Sequence, residues 1–151
     1  MSTADEQRTT LLALYPLFKE EVYRRREQMM RWTAIGAGSM FTILIVLLLV
    51  PERGRLSLSG RALIAGAIVL LAATFAALIL QHQQRHRQAK QTLIELERAL
   101  GLFDADIFLS QRPLYPDHWQ TDWTSDHSTT LSLLLLGLLA FLALLATALA
   151  S

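Results

Sequence analysis

Cysteine is absent from the chain. That excludes disulfides, thiolate metal sites and cysteine nucleophiles at once. Proline occurs four times and glycine seven times in 151 residues, so long turn-rich stretches are few. Charge is scarce as well. Charged residues make up 18% against 52% hydrophobic ones, a more apolar balance than an average soluble domain has. The scarcity is local. Trp32 to Pro51 carries no charge, and neither Ala62 to Gln84 nor Ser128 to Ser151 holds an Asp, Glu, Lys or Arg. The net charge of +1 says nothing about partners.

Each charge-free block supplies the roughly 18 or more apolar residues that a helix needs to cross a hydrocarbon core about 30 Å thick. None shows the polar stripe that a soluble bundle would place every third or fourth residue. The sequence therefore predicts an all-α membrane protein with three transmembrane helices, at 32–50, 61–80 and 129–150. Residues 1–30 lack a short apolar core and a small-residue cleavage site, so the first apolar helix is expected to be retained.

The charged ends of the first two helices have a pattern of their own. Residues 1–31 form an amphipathic helical segment in which Leu11, Tyr15, Phe18, Val22, Met29 and Trp32 recur at spacings of three, four or seven. Pro16 is expected at the first turn of the main helix, with a shorter helix or loop before it. Residues 51–60 form a hairpin turn, where Pro51 stops the first helix and Ser59 caps the next. The second helix continues past the apolar block as 81–101, where Ala89, Leu93, Leu96 and Leu100 form a seam. Two stripes on one membrane face predict an antiparallel cytoplasmic stalk, its seam built from Tyr15, Phe18, Val22, Leu93, Leu96 and Leu100, the stripes packing against each other or against neighbouring copies. The connector 102–128 follows, with a short helix expected over Leu102–Leu109.

Orientation follows from Lys and Arg near the helix ends. Arg24, Arg25, Arg26, Arg31, Arg85, Arg87 and Lys90 lie on one face; Arg53, Arg55 and Arg61 lie on the other. The excess places the amino terminus and the connector in the cytoplasm and the carboxyl terminus outside. The arginines then meet anionic phospholipid headgroups, worth about 1 kcal/mol each near the surface. Trp32, Trp119 and Trp123 anchor at the interface. Glu20, Glu21 and Glu27 dilute the basic cluster, and no nucleic-acid motif accompanies it.

Candidate chemistry is sparse. His82 and His86, four apart, could share a metal, but Arg85 and Arg87 disfavour a cation there, and a solvated face is expected instead. Asp117, His118, Asp122, Asp126 and His127 could ligate a cation or act as acid and base, yet their spacing fits no metal motif. No cofactor, metal or catalytic residue is assigned. The spans contain hydroxyls at Thr33, Ser39, Thr42, Thr74, Ser132 and Thr147 but no charge, which excludes the buried carboxylate of an ion-coupled transporter; Ser39, Thr42 and Thr74 are the candidates to line a pore. Small residues are more informative. Gly36, Gly38, Gly66, Ala72, Ala76, Gly137 and Ala140 let helices approach closely in lipid, within the chain or between copies.

A charged helix leading into a membrane hairpin, then Leu-Ile-Glu-Leu-Glu-Arg-Ala-Leu-Gly-Leu at 93–102 and a Tyr-Pro…Trp segment, resembles the SLATT-type small membrane proteins of bacteria. The resemblance covers residues 17–120; the third helix departs from that family's two-helix pattern. It implies an oligomeric, non-enzymatic protein of the bacterial inner membrane, a pore-forming or membrane-perturbing effector controlled through its cytoplasmic helices. The alternative is a scaffold or accessory subunit of a larger complex, with a protein partner at the stalk.

Overall fold

The computed structural model describes residues 3–49, 57–122 and 127–149. Four helices follow in order: α1 Thr3–Leu49, α2 Leu58–Ala99, α3 Trp119–Asp122 and α4 His127–Leu149. No strand occurs among the described residues, only an isolated bridge between Leu109 and Arg112. Helices α1, α2 and α4 are each long and apolar enough to cross a membrane. At 47 and 42 residues, α1 and α2 run roughly 70 and 60 Å at 1.5 Å per residue, about twice a hydrocarbon core.

Pro16 lies inside α1 rather than at its first turn. A proline in a helix forfeits one backbone hydrogen bond and crowds the preceding turn. Here Leu11 and Tyr15 before it, and Phe18 after it, pack into one apolar cluster, and burial on both sides outweighs the lost bond. The cap of α2 also differs from expectation. The Ser57 hydroxyl, not that of Ser59, accepts the Gly60 N–H at 3.2 Å, and the Ser57 carbonyl accepts the Arg61 N–H. Ser59 instead shares a hydrogen bond with the Ser57 hydroxyl. Pro51 lies outside the described residues.

The chain divides into two compact units. One comprises 28–82 and 127–151. Its core is Met29, Met40, Ile68, Phe75, Ile79, Leu136, Ala140 and Ala143, contributed by all three long helices. Gly36 sets the closest approach in it: a Cβ there would sit 2.9 Å from Cγ of Phe75. Four threonines in the apolar parts of the long helices turn back on their own helices. Thr33 donates to the Met29 carbonyl, Thr42 to Gly38, Thr74 to Leu70 and Thr147 to Ala143. Thr129 is buried and donates to the Met29 sulfur at 3.4 Å.

The other unit comprises 1–27 and 83–126. Val22, Leu93, Leu96, Leu100 and Leu102 form its core, with Leu11, Tyr15, Phe18, Ala89 and Tyr115 packed against them. The two apolar stripes thus meet within a single chain. Helix α2 ends in a Schellman turn. Gly101, at φ 75°, donates to the Arg98 carbonyl, and Leu102 donates to Glu97. Leu102 packs back beside Leu96, as that motif favours.

Residues 102–109 form no helix. Gly101 has already turned the chain into the left-handed region, and Asp106 and Gln111 also adopt positive φ, 67° and 62°. The Asp106 carboxylate accepts the Gln111 N–H at 2.7 Å, fixing a tight reversal. Tyr115 N–H then donates to the Leu102 carbonyl and closes the loop at its base.

Candidate functional site

The most distinctive chemistry lies in the second of these units, in residues beyond the charge-free runs. Glu97 sits in the last turn of α2 and is 5% exposed, although glutamate is almost never fully buried unless paired. The Tyr15 hydroxyl, from α1, donates to Oε1 of Glu97 at 3.2 Å. The Tyr115 hydroxyl, from the connector, lies 2.9 Å from that of Tyr15. Since the one Tyr15 proton is committed to Glu97, Tyr115 must donate to Tyr15. Lys19, one turn along α1, places its ammonium 5.7 Å from the centre of the Tyr15 ring.

Electrostatics follow from that burial. Loss of solvation raises the Glu97 pKa from its ordinary value, with the Tyr15 hydrogen bond and the Lys19 charge acting in the opposite direction. Tyr15 is pushed above the usual phenol range, first by burial, then by its hydrogen bond with Tyr115 and by the nearby Glu97 charge. An aromatic stack supports the cluster. Phe103 meets Tyr115 edge-on at 6.0 Å, and Trp119 lies 5.3 Å from Tyr115. Arg98 donates to Gln120 at 2.6 Å and ties α3 to the end of α2.

Sequence reasoning placed Tyr15 in the seam but missed Glu97 and Tyr115. The signal was present, because Leu93, Glu97 and Leu100 are spaced four and three apart. Glu97 therefore lies on the seam's edge, whereas Glu95 points to solvent.

The basic residues are handled unequally. Arg24 pairs with Glu20 at 2.8 Å and Arg25 with Glu21, both one helical turn away. Arg26, Arg31, Arg85 and Arg87 are exposed. Trp32 is half-buried and stacks on His82 with ring centres 6.4 Å apart. His86 is 1% exposed, so the expected solvated histidine face does not occur. The reason is register: His82, His86, Ala89, Leu93, Leu96 and Leu100 continue a single spacing of four and three.

Trp119 is partly exposed; Trp123 and Asp126 lie outside the described residues. Asp117 and His118 are exposed. Among the described residues no group of three or more His, Cys, Asp or Glu is placed to hold a metal ion.

The small residues divide by direction. Gly36 and Ala140 are buried, and Ala72 and Ala76 pack against the core. Gly38, Gly66 and Gly137 face open space, with nothing near a Cβ built on them. Compared with known protein families, curated proteins and solved structures, the chain matches none.

Proposed function

We propose that the chain is a non-enzymatic, self-associating protein of a bacterial inner membrane that acts as a scaffold or accessory subunit. In this reading its paired charged helices form an antiparallel cytoplasmic stalk that receives the partner. The observation that carries self-association is how little the spans cover one another. Only 11%, 17% and 22% of the residues in their most apolar stretches are buried, and Gly38, Gly66 and Gly137 open outward. Small residues on an outer face allow the close helix contacts that drive association in lipid. A scaffold is favoured over a channel because the outward sides of these helices are dominated by large apolar side chains such as Leu63, Leu70, Leu131, Leu134 and Phe141, a poor lining for water and ions. Orientation rests on the excess of Lys and Arg beside the stalk, with Arg26, Arg31, Arg85 and Arg87 facing anionic headgroups.

The second reading is a pore-forming or membrane-perturbing effector, as the resemblance to SLATT-type proteins implies. Thr42 and Thr74 favour it, since both are exposed amid apolar surface and would line a channel formed between copies.

The decisive experiment is the mass of the complex extracted from its host in lipid nanodiscs, followed by conductance recording. Fixed stoichiometry with foreign subunits, and no conductance, is expected for a scaffold. A closed ring of this chain alone that conducts ions would replace it with the pore. A chain that stays single and alone would exclude both.

A further inference from the structure

The cluster around Glu97 carries more than packing. A buried carboxylate at the end of a helix is doubly disfavoured: it has lost water, and it faces the negative end of the helix dipole. The groups acting directly on Glu97 are Tyr15 and Lys19 from α1; Tyr115, from the connector, reaches it through the Tyr15 hydroxyl. On its own helix, neighbouring Arg98 is directed to Gln120. Three separate segments of the chain are therefore joined in one hydrogen-bonded series that ends on a proton-binding group.

The hydroxyl chain suits either protonation state. With Glu97 ionised, Tyr115 donates to Tyr15, and Tyr15 donates to the carboxylate. With Glu97 protonated, the carboxyl can donate to Tyr15 and Tyr15 to Tyr115, reversing every hydrogen bond without moving a heavy atom. The difference is the cost of the buried charge, which only the ionised state bears.

We propose that Glu97, Tyr15 and Tyr115 form a proton-operated latch: protonation of Glu97 clamps the amino-terminal part of α1 and the connector onto the end of α2, and deprotonation loosens both. The sign follows from linkage. The folded unit holds the Glu97 proton more tightly than the unfolded chain does. The clamped state is therefore most stable below the ordinary glutamate range, and this stabilisation is lost as pH rises through the elevated folded-state value. One proton limits the change in the opening equilibrium to about tenfold per pH unit within that window. The latch goes beyond the membrane role proposed above and does not depend on whether that role is scaffold or pore.

The test is amide hydrogen exchange of the full chain in nanodiscs across a pH series, corrected for intrinsic exchange, over residues 3–20 and 103–122. In the wild type, protection should rise as pH falls toward the glutamate range. In Glu97→Gln, which keeps an acceptor and carries no charge, protection should be high and flat. An identical pH profile in both proteins, or a flat profile in the wild type, overturns the latch. Should the variant fail to fold, the wild type decides by the NMR titration of the Glu97 carboxyl carbon. A midpoint above those of the exposed glutamates supports the proposal, and one among them overturns it.

Discussion

Tyr15 is the residue on which the Glu97 cluster turns, because it touches both of the other members. Replacing it with Phe keeps the ring in the seam but removes the donor to Glu97. The ionised carboxylate then loses its stabilising hydrogen bond, so its proton affinity rises further. At neutral pH, Tyr15→Phe should cost about 1–3 kcal/mol, the usual penalty for orphaning a buried acceptor, and should extend the pH dependence of amide protection to higher pH. Tyr115→Phe should cost less, since the bond from Tyr15 to Glu97 survives it. Equal losses in the two variants, measured by denaturant titration of Trp119 fluorescence, would contradict this ranking. Gly101 offers a second test. Alanine there must adopt a φ of 75° with its Cβ 2.7 Å from Cδ1 of Ile107. The half-exposed Ile107 tip can move, so the backbone cost of about 1 kcal/mol should dominate, with faster amide exchange across 102–115. The end of the second helix was legible in the sequence, which closes the segment 81–101 at this glycine. Glu97 carried a signal in its spacing from Leu93 and Leu100, but a glutamate among leucines reads as a solvated position until its register against Tyr15 is known.

Among the elements, the three long apolar helices were legible because each contains roughly twenty residues free of charge, the length that a membrane crossing needs. The seam was legible for a similar reason: its spacing repeats often enough to fix one face. Two local features were not. Leu102, Phe103, Ile107, Phe108 and Leu109 mimic helical spacing, but Gly101 and the Asp106 side-chain turn had already bent the chain. Pro16 reads as a boundary by local rules, yet packing of Leu11, Tyr15 and Phe18 carries α1 through it. That override can be measured. Pro16→Ala restores a backbone donor and relieves the preceding turn, a difference of up to about 3 kcal/mol in a helix interior. Exchange of the amides at 5–15 should slow markedly. Unchanged exchange would mean that the apolar cluster already holds this arm so firmly that the proline is without consequence.

At the scale of the whole molecule the question is which apolar surface meets lipid and which meets protein. The small residues were visible in the sequence, but their directions were not, since the helical period alone does not say which of several small faces a neighbour will take. Gly36 and Gly38 separate the two roles only two residues apart on α1. Gly36 is buried against Phe75, whereas Gly38 lies on an outer face with exposed Ala34 and Thr42 one turn to either side. Leucine at 36 would force Phe75 aside in a packed core, an overpacking cost of about 1–3 kcal/mol, and should lower the chain's own thermal stability. Leucine at 38 has room and should leave that stability unchanged. It would, however, hold a second helix away from the face that Ala34, Gly38 and Thr42 present. If copies associate there, Gly38→Leu should lower the mass of the nanodisc complex at unaltered thermal stability, the reverse of the Gly36→Leu result. If the mass also stays the same, this face meets lipid, and the contact between copies must run through the outward sides of α2 or α4 at Gly66 or Gly137, where the same substitution applies in turn.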